Sequence, residues 1–299
     1  MKPIEVLSRN IVKNTSLSCK KKYLITREIR VRPGIRLTIQ DGTEIYILNG
    51  TVPKSILNRA ALIFEQGSHL RAEKFSLRAA NLDGKPVKKA DNGGLWFCGN
   101  LQTASKDNIS IKSNPRKRIS KFVAKEIKSF YLGRLDPVKV KTVIRSLKQE
   151  VRSDDLDAIS VLGVGRDEWA ISSIKTFYSG DDGFDITNSN IVLDRIYVKE
   201  PIEDGLNVSS SRIQIKKKLS IQMGQKGKDR DLFDLETDDG ASYIEISKGC
   251  HIRLEGVFGD QVILSSVDMP KIKRSKKSIY KFLGISKKAD SLIYSITED

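Results

Sequence analysis

Aspartates recur through the middle of this chain at spacings that could bring several carboxyl groups together. Asp157-Ala158-Ile159-Ser160-Val161, Asp182-Gly183-Phe184-Asp185-Ile186, Asp204-Gly205-Leu206-Asn207-Val208 and Asp231-Leu232-Phe233-Asp234-Leu235 share one order: Asp, variable, apolar, polar, apolar. They start 25, 22 and 27 residues apart. Strand alternation sends the apolar positions to one face and Ser160, Asp185, Asn207 and Asp234 to the other. If the segments stack as neighbouring strands about 4.8 Å apart, Asp185 and Asp234 are separated by roughly 9 to 10 Å. That is near the upper end of the spacing at which one carboxyl group protonates a leaving group and a second activates water. Asp181 adds a third candidate acid or base. Asn207 separates two like charges, and Arg195 and Arg212 could hold an acidic substrate. The leading Asp157, Asp182, Asp204 and Asp231 share parity with the core residues, where a lone carboxylate is costly. Corner positions with hydrogen bonds from their own turns are expected for them.

Other chemistry has thinner support. A lyase needs a basic residue opposite a carboxylate-bound calcium, and Arg195, Arg212 and Lys216 to Lys218 are near enough in sequence, although a charge run usually marks a solvated surface or a loop. His69 and His251 stand alone, each two residues after a Gly. No EF-hand loop or zinc spacing is present, Asp238-Asp239-Gly240 resembling a metal turn only superficially, so neither metal nor cofactor is expected. Trp96 and Trp169 could stack on sugar rings, whereas Phe97 reads as core.

The elements that would position these groups follow from the repeats. Ile191-Val192-Leu193 and Ile213-Gln214-Ile215 each begin nine residues after an Asp of the series. Val31 to Leu37, Ile39 to Ile45, Phe64 to Leu70 and Ile246 to Ile252 share another template, in which Gly sits three residues after an apolar one and three before the next. Gly there fits a tight turn with positive φ. Repeats of 22 to 27 residues are too long for hairpins and too short for strand–helix–strand crossovers. What remains is a coil of short strands, each paired with its equivalent one turn later.

Three passages carry a resemblance to the right-handed parallel β-helix proteins, the pectin-lyase-like superfamily. They are Val31 to Leu48, the Gly-Gly-aromatic stretch Asp91-Asn92-Gly93-Gly94-Leu95-Trp96-Phe97, and Asp182 to Ile215. The likeness covers roughly two thirds of the chain and speaks to fold, since such repeats host many activities and none. Gly180-Asp181-Asp182 is similar to the Gly-Asp-Asp signature of polygalacturonases, but the Gly-His-Gly, Arg-Ile-Lys and Asn-x-Asp elements of that family are missing. The expected organisation is a cap and first strands over 1–30, a β-helix over 31–265 and a basic cap or tail over 266–299. A basic insertion at about 106–155 interrupts the coil. Within it, Val140, Val143, Ile144, Leu147 and Val151 fall at helical spacing behind Asp136 and Pro137, which predicts one amphipathic helix.

Composition limits the class. The 299 residues include 53 Lys and Arg against 37 Asp and Glu, a net charge of +16 that favours a polyanionic partner. Arg116, Lys117, Arg118 and Lys121 in the insertion, and Lys273, Arg274, Lys276 and Lys277 in the tail, are the expected polyanion contacts. Three scattered cysteines argue for free thiols. No apolar run reaches membrane-spanning length. Without a signal-like first segment, the expected location is the cytoplasm, or outside the cell within a larger assembly. The leading expectation is a noncatalytic β-helix presenting a repetitive face to acidic polysaccharide or a partner protein. An enzyme degrading acidic polysaccharide, as lyase or glycoside hydrolase, stands second. A nucleic-acid binder stands third, because the basic segments lack interleaved aromatics.

Overall fold

The structure, a computed structural model, describes residues 2–53, 57–100, 119–134, 140–144, 149–153, 156–224, 230–236, 242–247, 249–258, 271–274, 279–286 and 296–298. Arg116, Lys117, Arg118, Lys276 and Lys277 lie outside these residues. The chain is all-β: no helix occurs among the described residues. Its strands form one 13-stranded, one seven-stranded and one five-stranded sheet, and every pairing within them is parallel.

The chain visits the sheets in rotation. Glu28–Val31 belongs to the seven-stranded sheet, Arg36–Ile39 to the five-stranded and Thr43–Leu48 to the 13-stranded. The same cycle returns through Ala61–Phe64, His69–Ala72 and Lys74–Ala80, and again through Leu95–Cys98, Lys121–Ala124 and Glu126–Phe130. Parallel strands cannot be joined by tight hairpins, and here the other two sheets supply the return path. This is compatible with a parallel β-helix. In later turns two of the three strands merge. Asn190–Lys199 and Arg212–Gln222 are single long strands whose register shifts between Leu193 and Arg195. A bulge of this kind bends a strand, so one strand turns the corner that two made before. Lys216 to Lys218 lie inside the second of these strands, not in a loop, and Lys217 reaches Asp194 at 2.8 Å.

The inward ladders follow the repeats. Leu62, Leu95 and Ile159 stack in register, and so do Val161, Ile186, Val208 and Leu235. They share one core cluster with Phe64, Phe97, Phe122 and Trp169, whose rings pack 5.0–6.4 Å apart between centroids.

The helix expected over 136–151 is not there. Val140–Ile144 and Gln149–Ser153 pair as antiparallel strands. The β-branched residues Val140, Thr142, Val143, Ile144 and Val151 favour extended backbone, and Val140, Thr142 and Ile144 fit a two-residue period as well as a helical one. Strands Lys271–Arg274, Ile279–Ser286 and Ile296–Glu298, in the segment read as a cap, extend the large sheet.

Candidate functional site

The predicted outward ladder is assembled in register. Ser160 pairs with Asp185, Asp185 with Asn207 and Asn207 with Asp234 along the seven-stranded sheet. The leading aspartates also line up, but not as expected. The backbone N–H of Asp204 donates to Asp182 Oδ1 at 2.9 Å, and that of Asp231 donates to Asp204 Oδ1 at 2.6 Å. Each of these two carboxylates therefore ties its coil to the next instead of closing its own turn. Gly183 and Gly205, one step along, allow this approach, since a Cβ at either would meet Gly205 O at 2.6 Å or Leu232 O at 2.7 Å respectively.

Asp181, Asp182, Asp185, Asp204 and Asp231 are all buried. Burial, followed by the charges of Asp157 and other neighbouring acids, pushes the Asp182 and Asp185 carboxyls well above the ordinary carboxylate range. Burial, then Asp182 and Asp234, do the same to Asp204. Thr187 Oγ1 donates to Asp185 at 3.2 Å and Ser160 Oγ to Asp157 at 3.1 Å. A buried acid whose pKa is raised moves toward the range that suits proton donation. Asp181, Asp182 and Glu203 bring one carboxylate oxygen each within 4.8 Å of one another, hard donors of the kind that could hold a divalent cation. Glu203 was invisible to sequence reasoning because it belongs to no repeat.

The remaining candidates are not gathered around these acids. Arg195 and Arg212 are exposed and lie on the large sheet, a different sheet from Asp185 and Asp234. Arg212 pairs with Glu245 at 2.8 Å. Trp96 is outward in register, opposite Ser160, yet only 2% exposed, in a separate apolar cluster with Leu57, Ile63 and Leu156. Its Nε1 donates to Gly93 O at 2.7 Å. Trp169 packs edge-on against Phe97 in the core. Neither indole presents a face to a sugar. Lys121 is exposed on the five-stranded sheet, where it lines a cleft with Arg36, His69 and Arg71. Lys273 and Arg274 are paired in the large sheet through their backbone.

A second constellation escaped the sequence reading. On the outer face of the large sheet, Tyr46, Arg78, Phe130, Phe177 and Lys199 stand in register on five consecutive strands. One ladder over, Glu44, Ser76, Lys128, Lys175 and Tyr197 do the same. The Arg78 guanidinium lies 4.1 Å over the Phe130 ring, which stacks on Phe177 at 4.7 Å, and Phe177 packs 5.3 Å from Tyr197. Beside them Tyr131 and Tyr178 stack at 4.9 Å, with the Lys199 ammonium 5.4 Å from Tyr178. Glu126 holds Lys175 at 2.6 Å and Lys128 at 3.3 Å. Burial works against its charge, but those two hydrogen bonds outweigh it and hold the carboxyl below its usual range. A groove of about 440 Å³ runs between Glu44, Tyr46, Ser76, Arg78, Lys128 and Phe130. Cations and aromatic rings are thus interleaved in space, as they already are in the single strand segment Arg195-Ile196-Tyr197-Val198-Lys199.

No protein-family model, curated protein or solved structure matches the chain. Function therefore has to be argued from these two faces. No helix among the described residues is long and apolar enough to cross a membrane.

Proposed function

We propose that the chain is a noncatalytic right-handed parallel β-helix whose large sheet presents its outer face to an acidic polysaccharide. The coil is supported by parallel pairing of equivalent strands and their rotation among three sheets, and the hand by the strong preference of parallel crossovers for the right. The observation that carries the binding role is the registered ladder Tyr46, Arg78, Phe130, Phe177 and Lys199 beside Lys128, Lys175 and Tyr197. Its four strand steps extend about 19 Å, room for several sugar units, with the edges of the half-buried Phe130, Phe177 and Tyr197 rings for their apolar parts and cations for their acidic groups. Arg78, Lys128, Lys175 and Lys199 outnumber Glu44 and Glu126 there.

The test is binding of the whole chain to polygalacturonate and to neutral dextran. Saturable binding to the uronate polymer that weakens steeply with salt, without binding to dextran, is expected. Equal binding to both, or none to either, removes the reading, and preference for single-stranded DNA in direct competition reassigns the face to nucleic acid.

A catalytic reading draws on a different observation, the buried Asp185 separated from Asp234 by Asn207. An acid whose pKa is raised and a second carboxyl group two strands away could share hydrolysis of a glycosidic bond. New reducing ends from uronate polymers, lost in Asp185→Asn and Asp234→Asn, would establish it. No turnover by the unmodified chain would dismiss it.

A further inference from the structure

At the margin of the large sheet, the stacked Tyr131 and Tyr178 form one wall of a cleft of about 480 Å³. Arg59, Lys88, Lys89 and Arg134 also line it, against two carboxylates, Asp91 and Glu200. Asp91 Oδ1 accepts from Arg59 Nε at 2.7 Å and lies 3.6 Å from Arg134 Nε. The carboxylate is thereby engaged by two arginines while both lysines reach the cleft exposed. Four cations against two anions leave the cleft positive, and its volume is that of a small-molecule site.

Its floor is fixed by backbone. Asn49 Nδ2 donates to Lys89 O at 2.6 Å, the Gly50 N–H to Asp91 O at 2.8 Å and the Gly180 N–H to Leu132 O at 2.7 Å. Gly180 comes so close that a Cβ there would lie 2.7 Å from Ala90 Cβ and from Arg134 N. The tyrosines are costly where they stand. Both have φ of 58°, a left-handed backbone that is unfavourable for large side chains. At another corner with the same backbone the chain uses Gly163, Asn188 and Ser210. Two bulky rings kept at strained positions, face to face and beside a surplus of positive charge, suit a ligand that is part ring and part anion.

We propose that this cleft is a binding site for a single ring that carries one carboxylate, its charge met by Lys88, Lys89 and Arg134 and its ring resting against the Tyr131 and Tyr178 pair. A sugar acid and an aromatic acid both have that chemistry. The cleft adjoins the ladder, whose Lys199 reaches Tyr178, but none of the residues that line it belongs to the ladders, so it stands whether or not the sheet binds polymer.

The experiment is titration of the isotope-labelled full chain with glucuronate and with benzoate, followed by amide shifts, with glucose and sodium sulfate as controls. One carboxylated ring should saturate at millimolar concentration, with its largest shifts at residues 88–91, 131 and 178–180. Glucuronate alone identifies a sugar-acid site, benzoate alone an aromatic-acid site. Affinity should fall about tenfold, or 1.4 kcal/mol, in Lys88→Gln/Lys89→Gln, whose exposed positions leave thermal unfolding as a check that the fold is kept. Tyr178→Leu should weaken the ring ligand while leaving any weak sulfate shift unchanged. Saturation by neither ring up to about 50 mM, equal affinity for sulfate, or unaltered affinity in a folded double-lysine variant would overturn the proposal.

Discussion

Asp182, Asp185 and Asp204 owe their raised pKa values first to burial and then to neighbouring acids, Asp157 for the first two and Asp182 for Asp204. In the unfolded chain each returns to the ordinary value, about 3.9. The folded protein therefore binds these protons more tightly, and the stability they contribute is fully present below the unfolded value. It is lost as pH rises through the raised folded values. Thermal unfolding should consequently show higher stability near pH 5 than near pH 8. Asp204→Asn keeps an oxygen to accept the Asp231 N–H while removing a charge from the stack. It should stabilise the chain at pH 8 by about 1 kcal/mol, within the ordinary range for point variants, and flatten the pH dependence. A loss of stability at pH 8 would mean that Asp204 gains more from charge than burial costs it. Which residues form the ladder was legible in the sequence, because the interval of 22 residues fixes the register of Asp185 and Asn207. Their exposure was not legible: an outward position in a strand is solvent-facing only if nothing covers the sheet there.

Elements are joined here by polar side chains that cross between coils. Ser189 Oγ accepts the Val164 N–H at 2.9 Å, and Ser211 Oγ accepts the Ser189 N–H at 2.8 Å, so one corner is stitched by hydroxyls. Glu168 does the corresponding work beside the insertion. Its buried carboxylate accepts from the backbone N–H groups of Asn100 at 3.1 Å, Ser120 at 3.0 Å and Gly165 at 2.8 Å. It therefore ties together the ends of strands Leu95–Cys98 and Lys121–Ala124, on either side of residues 101–118. Burial raises its pKa and the three N–H donors oppose the rise. Glu168→Ala strands three buried donors and should cost about 2–4 kcal/mol, each orphaned group costing about 1–3 kcal/mol before relaxation. Denaturant unfolding measures the loss, and amide exchange should accelerate first at Asn100 and Ser120. Unchanged exchange at those two amides would show that these strand ends are held by other contacts. Such clamps are silent in sequence, since Glu168 and Asn100 lie in different coils without a shared motif. The antiparallel pair at 140–153 was hidden for the opposite reason. Its residues satisfy a helical period and a strand period together, so periodicity alone could not decide between them.

For the molecule as a whole, the insertion and the tail carry much of the charge of +16. The parallel pairing gathers a further set of cations onto one face. Residues as far apart in sequence as Tyr46 and Lys199 become one ladder because each of these strands of the large sheet pairs in parallel and in register with the one before. Sequence reading finds ladders where the repeat is regular, between 182 and 215, and misses this one because its coils differ in length. If the outer face of the large sheet is the polyanion surface, its cations should release counterions on binding, and each lost contact should lower the slope of log affinity against log salt by about 0.7–0.9. Arg78→Gln/Lys128→Gln/Lys175→Gln should then reduce the slope for polygalacturonate by roughly 2 to 3. Lys128 and Lys175 already share Glu126, which places the expected value toward the lower end. The comparison is Arg36→Gln/Arg71→Gln/Lys121→Gln on the five-stranded sheet, which removes the same charge from another face. Equal slopes in the two triple variants would mean that the polymer responds to net charge alone. A slope reduced only by the first would assign binding to the ladder in which cations alternate with rings, since only there does geometry add to charge.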